Sequence, residues 1–301
     1  MSRNPCTSTP SGRGRKKPRL HLRPGKRCGE ELRKLSLLQL EAAREGLRGN
    51  IASPGPVHDA RTFIKKVRAM LDLAAPSLSN KELNRTVRLL RDAASRLSPL
   101  RDSDVAVETL DLALEQTSMP ADAFDSIRAG LVNVAKQQRI NGRHQLPRVR
   151  NSLSKAAGGI SKMPLDRMSD HDLQRRLRRS YRRARKSLKT LQTKNDPELF
   201  HRWRKLAKQV WYQLRVTAPF WPDHAKKLIA TLDSIGDLAG TERDLMLLEG
   251  TLSSGPSGRS VSELVARITI IRQSLRNEAV GIGREFFMPR PRVFIEPLRT
   301  R

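Results

Sequence analysis

The sequence is short of acid. Its 301 residues carry 59 Lys plus Arg against 30 Asp plus Glu, a formal net charge of +29. Self-repulsion on that scale destabilises a compact state unless an anion relieves it, and it exceeds what solubility requires. The charge therefore points to a polyanionic partner: nucleic acid, polyphosphate or an acidic membrane. The competing reading is a basic surface that is merely solvated. Aromatic residues are scarce as well, with three Trp, two Tyr and seven Phe, few for a surface that stacks bases. The two cysteines, Cys6 and Cys28, both lie near the N-terminus. No disulfide framework can be built from them, and a reducing, cytoplasmic setting is the expectation. No apolar run of ~18 residues occurs, so no transmembrane helix is expected. The start of the chain lacks the apolar segment of a secretion signal. It is Arg-rich and acid-free, as organelle transit peptides are, but Pro5, Pro10, Pro18 and Pro24 oppose the amphipathic helix such a peptide needs.

Hydrophobic residues make up 37 % of the chain, a lean supply that still allows a buried core in one large domain or two small ones. Residues 1–29 hold nine Lys or Arg and no acid, among Pro, Gly and Ser, and read as a disordered basic tail. Beyond it, apolar residues return every three or four places and alternating β-branched runs are rare, so the rest is read as all-α. The periodicity predicts helices near 30–50, 56–75, 80–98, 102–118, 121–153, 167–193, 197–218, 223–239, 242–252 and 260–282. SPGPV before His58 and NDPEL before His201 each put a proline in a first helical turn, and Asp196 can cap the second. APS at 75–77 and APF at 218–220 end these two helices at similar distances. NGRHQLP (141–147) and AAGGI (156–160) are expected to weaken or kink the long middle helix, and SSGPSG (253–258) reads as a loop.

An internal repeat organises the chain. His58, Arg61 and Lys65 fall on His201, Arg204 and Lys208 at a shift of 143. Arg101-Asp102 falls on Arg243-Asp244, and Thr109-Leu110 on Thr251-Leu252, at 142. The alternative is chance alignment of two basic helices. Order, spacing and flanking prolines together favour a duplicated helical unit, 30–118 and 167–252, with the 121–153 helix bridging and the 260–282 helix closing.

On a helix, offsets of three, seven and ten residues stay within about 80° of the start. His58, Arg61, Lys65 and Arg68 thus share a face, with Lys66 on its flank and Phe63, Val67, Met70 and Leu71 opposite. His201, Arg204 and Lys208 repeat the pattern, with Lys205 beside them. Such rows repel unless an anion lies against them. Phosphate suits them: Arg grips it with a planar fork and Lys as a point charge. Each histidine sits near a helix start, where free N–H groups also favour anions. A solvated basic face remains the bland reading. A histidine bonded within the core is another, and a metal pair lacks the second histidine four residues on. Arg101, Asp102 and Asp104 admit structural roles, an Asp capping the next helix and an Arg bridging the units.

The segment DLQRRLRRSYRRARKSLK adds nine Lys or Arg between 172 and 189. Arg175, Arg178, Arg182 and Arg185 form one face that could complete the wall of a basic groove, and His171 lies one turn earlier. Arg176, Arg179, Arg183 and Lys186 are expected in solvent. There is no Gly-rich phosphate loop with lysine and no acid cluster to hold magnesium; Asp102 and Asp104 come nearest. The reading is therefore not an enzyme, with no cofactor and no metal.

These segments resemble the conserved histidine α-helical domain (CHAD) family. VHDARTFIKKVRAML, LSPLRDSDVAVETL, YRRARKSL, DPELFHRWRKLAKQVWYQL, APFWP and GTERDLMLLEGTL carry the resemblance, which spans residues 30–295. It implies two pseudo-twofold-related four-helix bundles with a basic central channel that binds inorganic polyphosphate. Carried over, the binding residues are His58, Arg61, Lys65, Lys66 and Arg68 on the first helix. His201, Arg204, Lys205, Lys208 and Tyr212 supply the second. Gln209 and Trp211 stand where the pattern has basic residues, and ERDL stands where Asn-Asp is common. Trp203 and Trp211 also admit a core reading. A stand-alone cytoplasmic module at polyphosphate granules is the expectation, with nucleic acid as the alternative partner, through the fold or the tail.

Overall fold

The structure is a computed structural model and describes residues 18–49, 51, 53–194, 196–255 and 258–298. Cys6, Pro5, Pro10 and the rest of residues 1–17 lie outside it. Among the described residues the fold is all-helical, with no strand. In chain order the helices are α1 (Cys28–Gly46), α2 (Gly55–Ala74), α3 (Asn80–Arg96), α4 (Ser98–Thr117), α5 (Asp125–Arg143) and α6 (Leu146–Lys162). They continue with α7 (Asp170–Lys194), α8 (Pro197–Thr217), α9 (Pro222–Ser253), α10 (Arg259–Phe286) and the short α11 (Pro291–Ile295).

Local signals start and stop them. Ser79 accepts from Glu82 N and donates to its carboxylate, a reciprocal cap at α3. Asp196 accepts from Glu198 N at 2.8 Å, the cap expected for α8. The two APx segments, Ala75–Ser77 and Ala218–Phe220, both form 3-10 turns that end α2 and α8.

The repeat is visible in the packing. α1 lies on α2 as α7 lies on α8, and α3 with α6 and α4 with α5 mirror α9 with α10. Prolines make the difference between the halves. Pro99 and Pro147 sit in the first turns of α4 and α6, so the first half has four shorter helices where the second has two long ones. The counterpart of Pro99 at a shift of 142 is Thr241, and α9 runs through it. The apolar stripe Leu232, Ile235, Ala239, Leu245, Leu248 and Leu252 never loses register. Two helices were expected there, at 223–239 and 242–252; one forms. Conversely, the expected 121–153 helix divides before Leu146. AAGGI lies inside α6 without interrupting it, and Gly159 permits close approach, since a Cβ there would lie 2.9 Å from Thr86 Oγ1.

One large apolar cluster joins both halves, and a second, smaller one is built from α4, α5, the end of α9 and the start of α10. Trp203 is completely buried in the large one, beside Phe200 and Phe287. Polar ties cross the halves too. Asp72 on α2 accepts from Gln213 of α8 at 2.8 Å and pairs with Arg176 of α7. Arg176 is therefore not the solvent-facing residue expected from its helical position.

The basic segment is also not free up to residue 29. Leu20, Leu22 and Cys28 are buried. Leu22 N donates to Val216 O at 2.8 Å, and Arg19 and Arg23 pair with buried Glu31 at 2.7 and 2.6 Å. Two leucines and one buried carboxylate suffice to strap this stretch across α1 and the end of α8. Gly29 sits where a Cβ would fall 1.7 Å from the Leu165 carbonyl oxygen. Gly29→Ala is expected to destabilise the protein by about 2 kcal/mol or more through overpacking against backbone, read as a lower urea midpoint with unchanged slope.

Candidate functional site

The two histidine-led helices meet. α2 packs on α8, and the rows of cations face one another: Lys65 feels the charge of Lys208, Arg61 and Arg204, together with Arg101 of α4. Burial first, and then these like charges, push the Lys65 ammonium down from its ordinary 10.5 to about 8. Water still reaches this side chain. A lysine lining a crevice has both properties, since protein surrounds it on several sides while one remains open. Burial likewise lowers Lys208, Arg204 and Arg68.

The RD pairs complete the symmetry. Asp102 supports and Arg101 opposes the charge of Arg61; Asp244 supports and Arg243 opposes that of Arg204. Arg101 also acts on Asp244 across the halves. The reading of an arginine bridging the units fits this placement. The capping role does not hold: Asp102 and Asp104 lie inside α4, whose N-cap is Leu97. Asp104 is buried and bonded to Arg139 of α5 at 2.6 Å.

Four of the most buried arginines are neutralised by carboxylates: Arg139 by Asp104, Arg176 by Asp72, and Arg272 and Arg276 by Glu242. At the seam the pattern reverses. Among the described residues, Lys65, Arg68, Arg204 and Lys208 have no carboxylate oxygen within 4 Å. Arg61 Nη1 donates to Ala94 O at 2.6 Å and Ser98 Oγ at 2.7 Å, neither of them anionic. The Arg204 Nε is buried and lacks a hydrogen-bond partner. Asp244 acts on Arg204 and Lys208 only from beyond contact distance, so an incoming anion would add the close pairing that the protein leaves unmade.

The other sequence-predicted residues fall in different places. His58 is exposed in the first turn of α2. His201 is half-buried near the start of α8; burial, then Lys205 and Arg243, hold its imidazole below the usual histidine value. Lys205 is exposed. Lys66 is buried with its ammonium 5.1 Å from the Phe63 ring. Tyr212 is buried, its hydroxyl pushed up to about 12 by burial, and its ring lies 4.5 Å from that of Trp211. Trp211 sits over the edge of the seam with Lys208 at 5.6 Å and Arg215 at 4.7 Å.

The expected contribution of α7 to the wall is not carried by contacts. Arg185 Nε donates to Phe287 O at 2.8 Å and clasps the end of α10, because its side of α7 packs on the C-terminal segment. Arg182 is exposed and Arg178 half-buried, and neither enters the electrostatics of Lys65, Arg204 or Lys208. Sequence reasoning passed over Arg91, which acts on Arg68, and gave Arg101 and Asp244 no part in the site. The repeat shift, which overlays Arg101 on Arg243 and Asp102 on Asp244, was the signal that could have placed the last two.

An internally repeated, all-helical protein with a basic, salt-bridge-rich interior and a cationic seam between its halves is the class that fold and site define. The CHAD domain model matches residues 34–253. The chain belongs to the CHAD family. Its fold is similar to the crystal structure of the CHAD domain from the plant Ricinus communis, with a TM-score of 0.63 at 16 % identity, over 96 % of this chain and 98 % of that one. It is also similar to PptA from Streptomyces chartreusis, with a TM-score of 0.58 at 14 % identity, over 86 % and 97 %. No curated protein matches the sequence.

Lys65 yields a stability prediction. Its folded value lies below the unfolded one, so the unfolded chain binds more protons between about pH 8 and 10.5, and stability rises with pH across that window. Lys65→Gln is therefore expected to raise the urea midpoint at pH 7, by an amount that shrinks as pH climbs from 8 toward 10.5. An equal gain at both ends would mean that Lys65 is not strained.

Proposed function

We propose that the chain is a non-catalytic binder of inorganic polyphosphate, held along the seam between α2 and α8. The observation that carries this reading is the convergence of Lys65, Arg204 and Lys208 with no protein carboxylate in salt-bridge contact among the described residues. Arg139, Arg176, Arg272 and Arg276 inside the fold each reach a carboxylate, which these three side chains do not. A linear polyanion supplies closely spaced phosphates that can satisfy facing rows at once. Membership of the CHAD family supports the same ligand. Arg204, Lys208 and Lys65 would grip phosphate directly, Arg61 would hold its field in place through α3 and α4, and His201 and Lys205 would stand at the head of α8. A cytoplasmic place at polyphosphate granules follows from that ligand.

Among the described residues no helix is long and apolar enough to cross a membrane, and no group of three or more His, Cys, Asp or Glu could hold a metal ion. Phosphate release from polyphosphate by the pure protein, lost in His201→Ala, would overturn the non-catalytic reading. Nucleic acid is tested as a competitor: displacement of long-chain polyphosphate by single- or double-stranded nucleic acid at matched phosphate concentration would replace one polyanion by the other.

Binding to long-chain polyphosphate is expected to weaken with salt, with a log–log slope of about −0.7 per phosphate neutralised. Arg204→Ala is expected to weaken it about tenfold or more, the scale of a charge-assisted hydrogen bond. Arg183→Ala, on the exposed side of α7, should leave it nearly unchanged. Equal losses would mean diffuse attraction with no site. A bound phosphate would raise the depressed His201 value, so affinity should increase as pH falls from 8 to 6. A flat profile would remove His201 from the contact.

A further inference from the structure

The two halves are not electrostatic copies of each other. The shift of 142 or 143 that overlays Lys65 on Lys208 also overlays Arg68 on Trp211, Arg91 on Asp233, Ser95 on Asp237 and Ser98 on Gly240. In the first half, Arg61 is tied to Ser98 and to the Ala94 carbonyl. In the second half those places belong to Gly240 and Gly236, where an added Cβ would meet nothing within 4 Å. Arg204, the counterpart of Arg61, has no such tie among the described residues and keeps a buried Nε without a hydrogen-bond partner. Of the two matched guanidinium groups, one is already committed to the protein and the other is left for a ligand.

Further along, the contrast deepens. Arg68 on α2 and Arg91 on α3 act on one another by repulsion alone, and neither pairs with a carboxylate among the described residues. In the second half, Lys208 instead has Asp237 and Asp233 among its surroundings, two exposed carboxylates one turn apart on α9. Asp233, Asp237, Gly240 and Asp244 lie within about 60° of one another, so they form a single stripe along that helix. Trp211, not a cation, occupies the place of Arg68 and lies 5.6 Å from the Lys208 ammonium.

We propose that a bound polyanion follows a one-sided track: Arg204 and Lys65 hold it where the halves meet, Arg68 and Arg91 carry it out over α2 and α3, and Asp233 and Asp237 keep it off the stretch of α8 beyond Lys208 and the α9 face beside it. The inference rests on the polyphosphate reading of the seam and assigns that ligand a direction. Asp233 and Asp237 act as specificity-determining residues by repulsion: phosphates beyond the meeting point lose energy on one side and gain it on the other. A short anion that fills only the meeting point feels neither Arg91 nor the carboxylate pair; a long one feels both.

Titrations of the full chain with inorganic tripolyphosphate and with long-chain polyphosphate test this. Arg91→Ala is expected to weaken the long chain about tenfold and to reduce the steepness of its salt dependence by about 0.7. The double variant Asp233→Asn/Asp237→Asn is expected to tighten the long chain about threefold. Tripolyphosphate affinity should stay within about twofold in both variants. All three positions are exposed, and far-ultraviolet circular dichroism checks that the fold is kept. Unchanged long-chain affinity in Arg91→Ala, or no tightening in the double variant, overturns the one-sided track. Where the parent binds and Arg204→Ala weakens it, that result leaves the seam reading standing; a parent that binds no polyphosphate removes both.

Discussion

Repulsion between α2 and α8 is the constraint around which this protein is organised. Lys65, Arg204 and Lys208 converge with no carboxylate in salt-bridge contact, and Asp244, Asp237 and Asp233 act on Arg204 and Lys208 only from farther off. Cohesion comes from elsewhere. The large apolar cluster runs continuously through both halves, and Asp72 binds α2 to Arg176 and Gln213 of the other half. The fold therefore keeps like charges close by spending apolar burial on them, and an anion at the seam recovers part of that cost.

The same logic separates two populations of arginine in one chain. Arg139, Arg176, Arg272 and Arg276 reach carboxylates and serve as internal cross-braces. Arg185 reaches main-chain carbonyls and fixes the end of α10. Arg68, Arg91 and Arg204 reach no carboxylate. Composition treats all of these alike; a side chain's role depends on whether a carboxylate or carbonyl lies within its reach. An overall charge of +29 does not distinguish these roles; the pairing pattern does.

Duplication supplies the framework, and divergence supplies polarity. The two halves retain the order of helices, the 3-10 turns after α2 and α8, and the RD pairs beside Arg61 and Arg204. They differ where prolines break the first half and where Asp233, Asp237 and Trp211 replace the counterparts of Arg91, Ser95 and Arg68. The symmetric scaffold therefore carries an asymmetric charge pattern.

The helical class, the repeat, the α2 and α8 boundaries and the shared face of Arg61, Lys65 and Arg68 were legible in the sequence, because periodicity and first-turn prolines are local properties of the chain. The continuity of α9 was not, since a glycine weakens a helix locally while its apolar stripe keeps it through packing. Arg176 and Arg185 were misplaced for a related reason: their helix position says which way they point, but Asp72 and the carbonyls of Phe287 and Met288 come from distant segments. The packing of Leu20 and Leu22 likewise awaited the partner surface. Sequence alone determined which residues lie side by side on one helix. Only the tertiary structure decided which charges meet across helices, because that depends on contacts between residues more than a hundred positions apart.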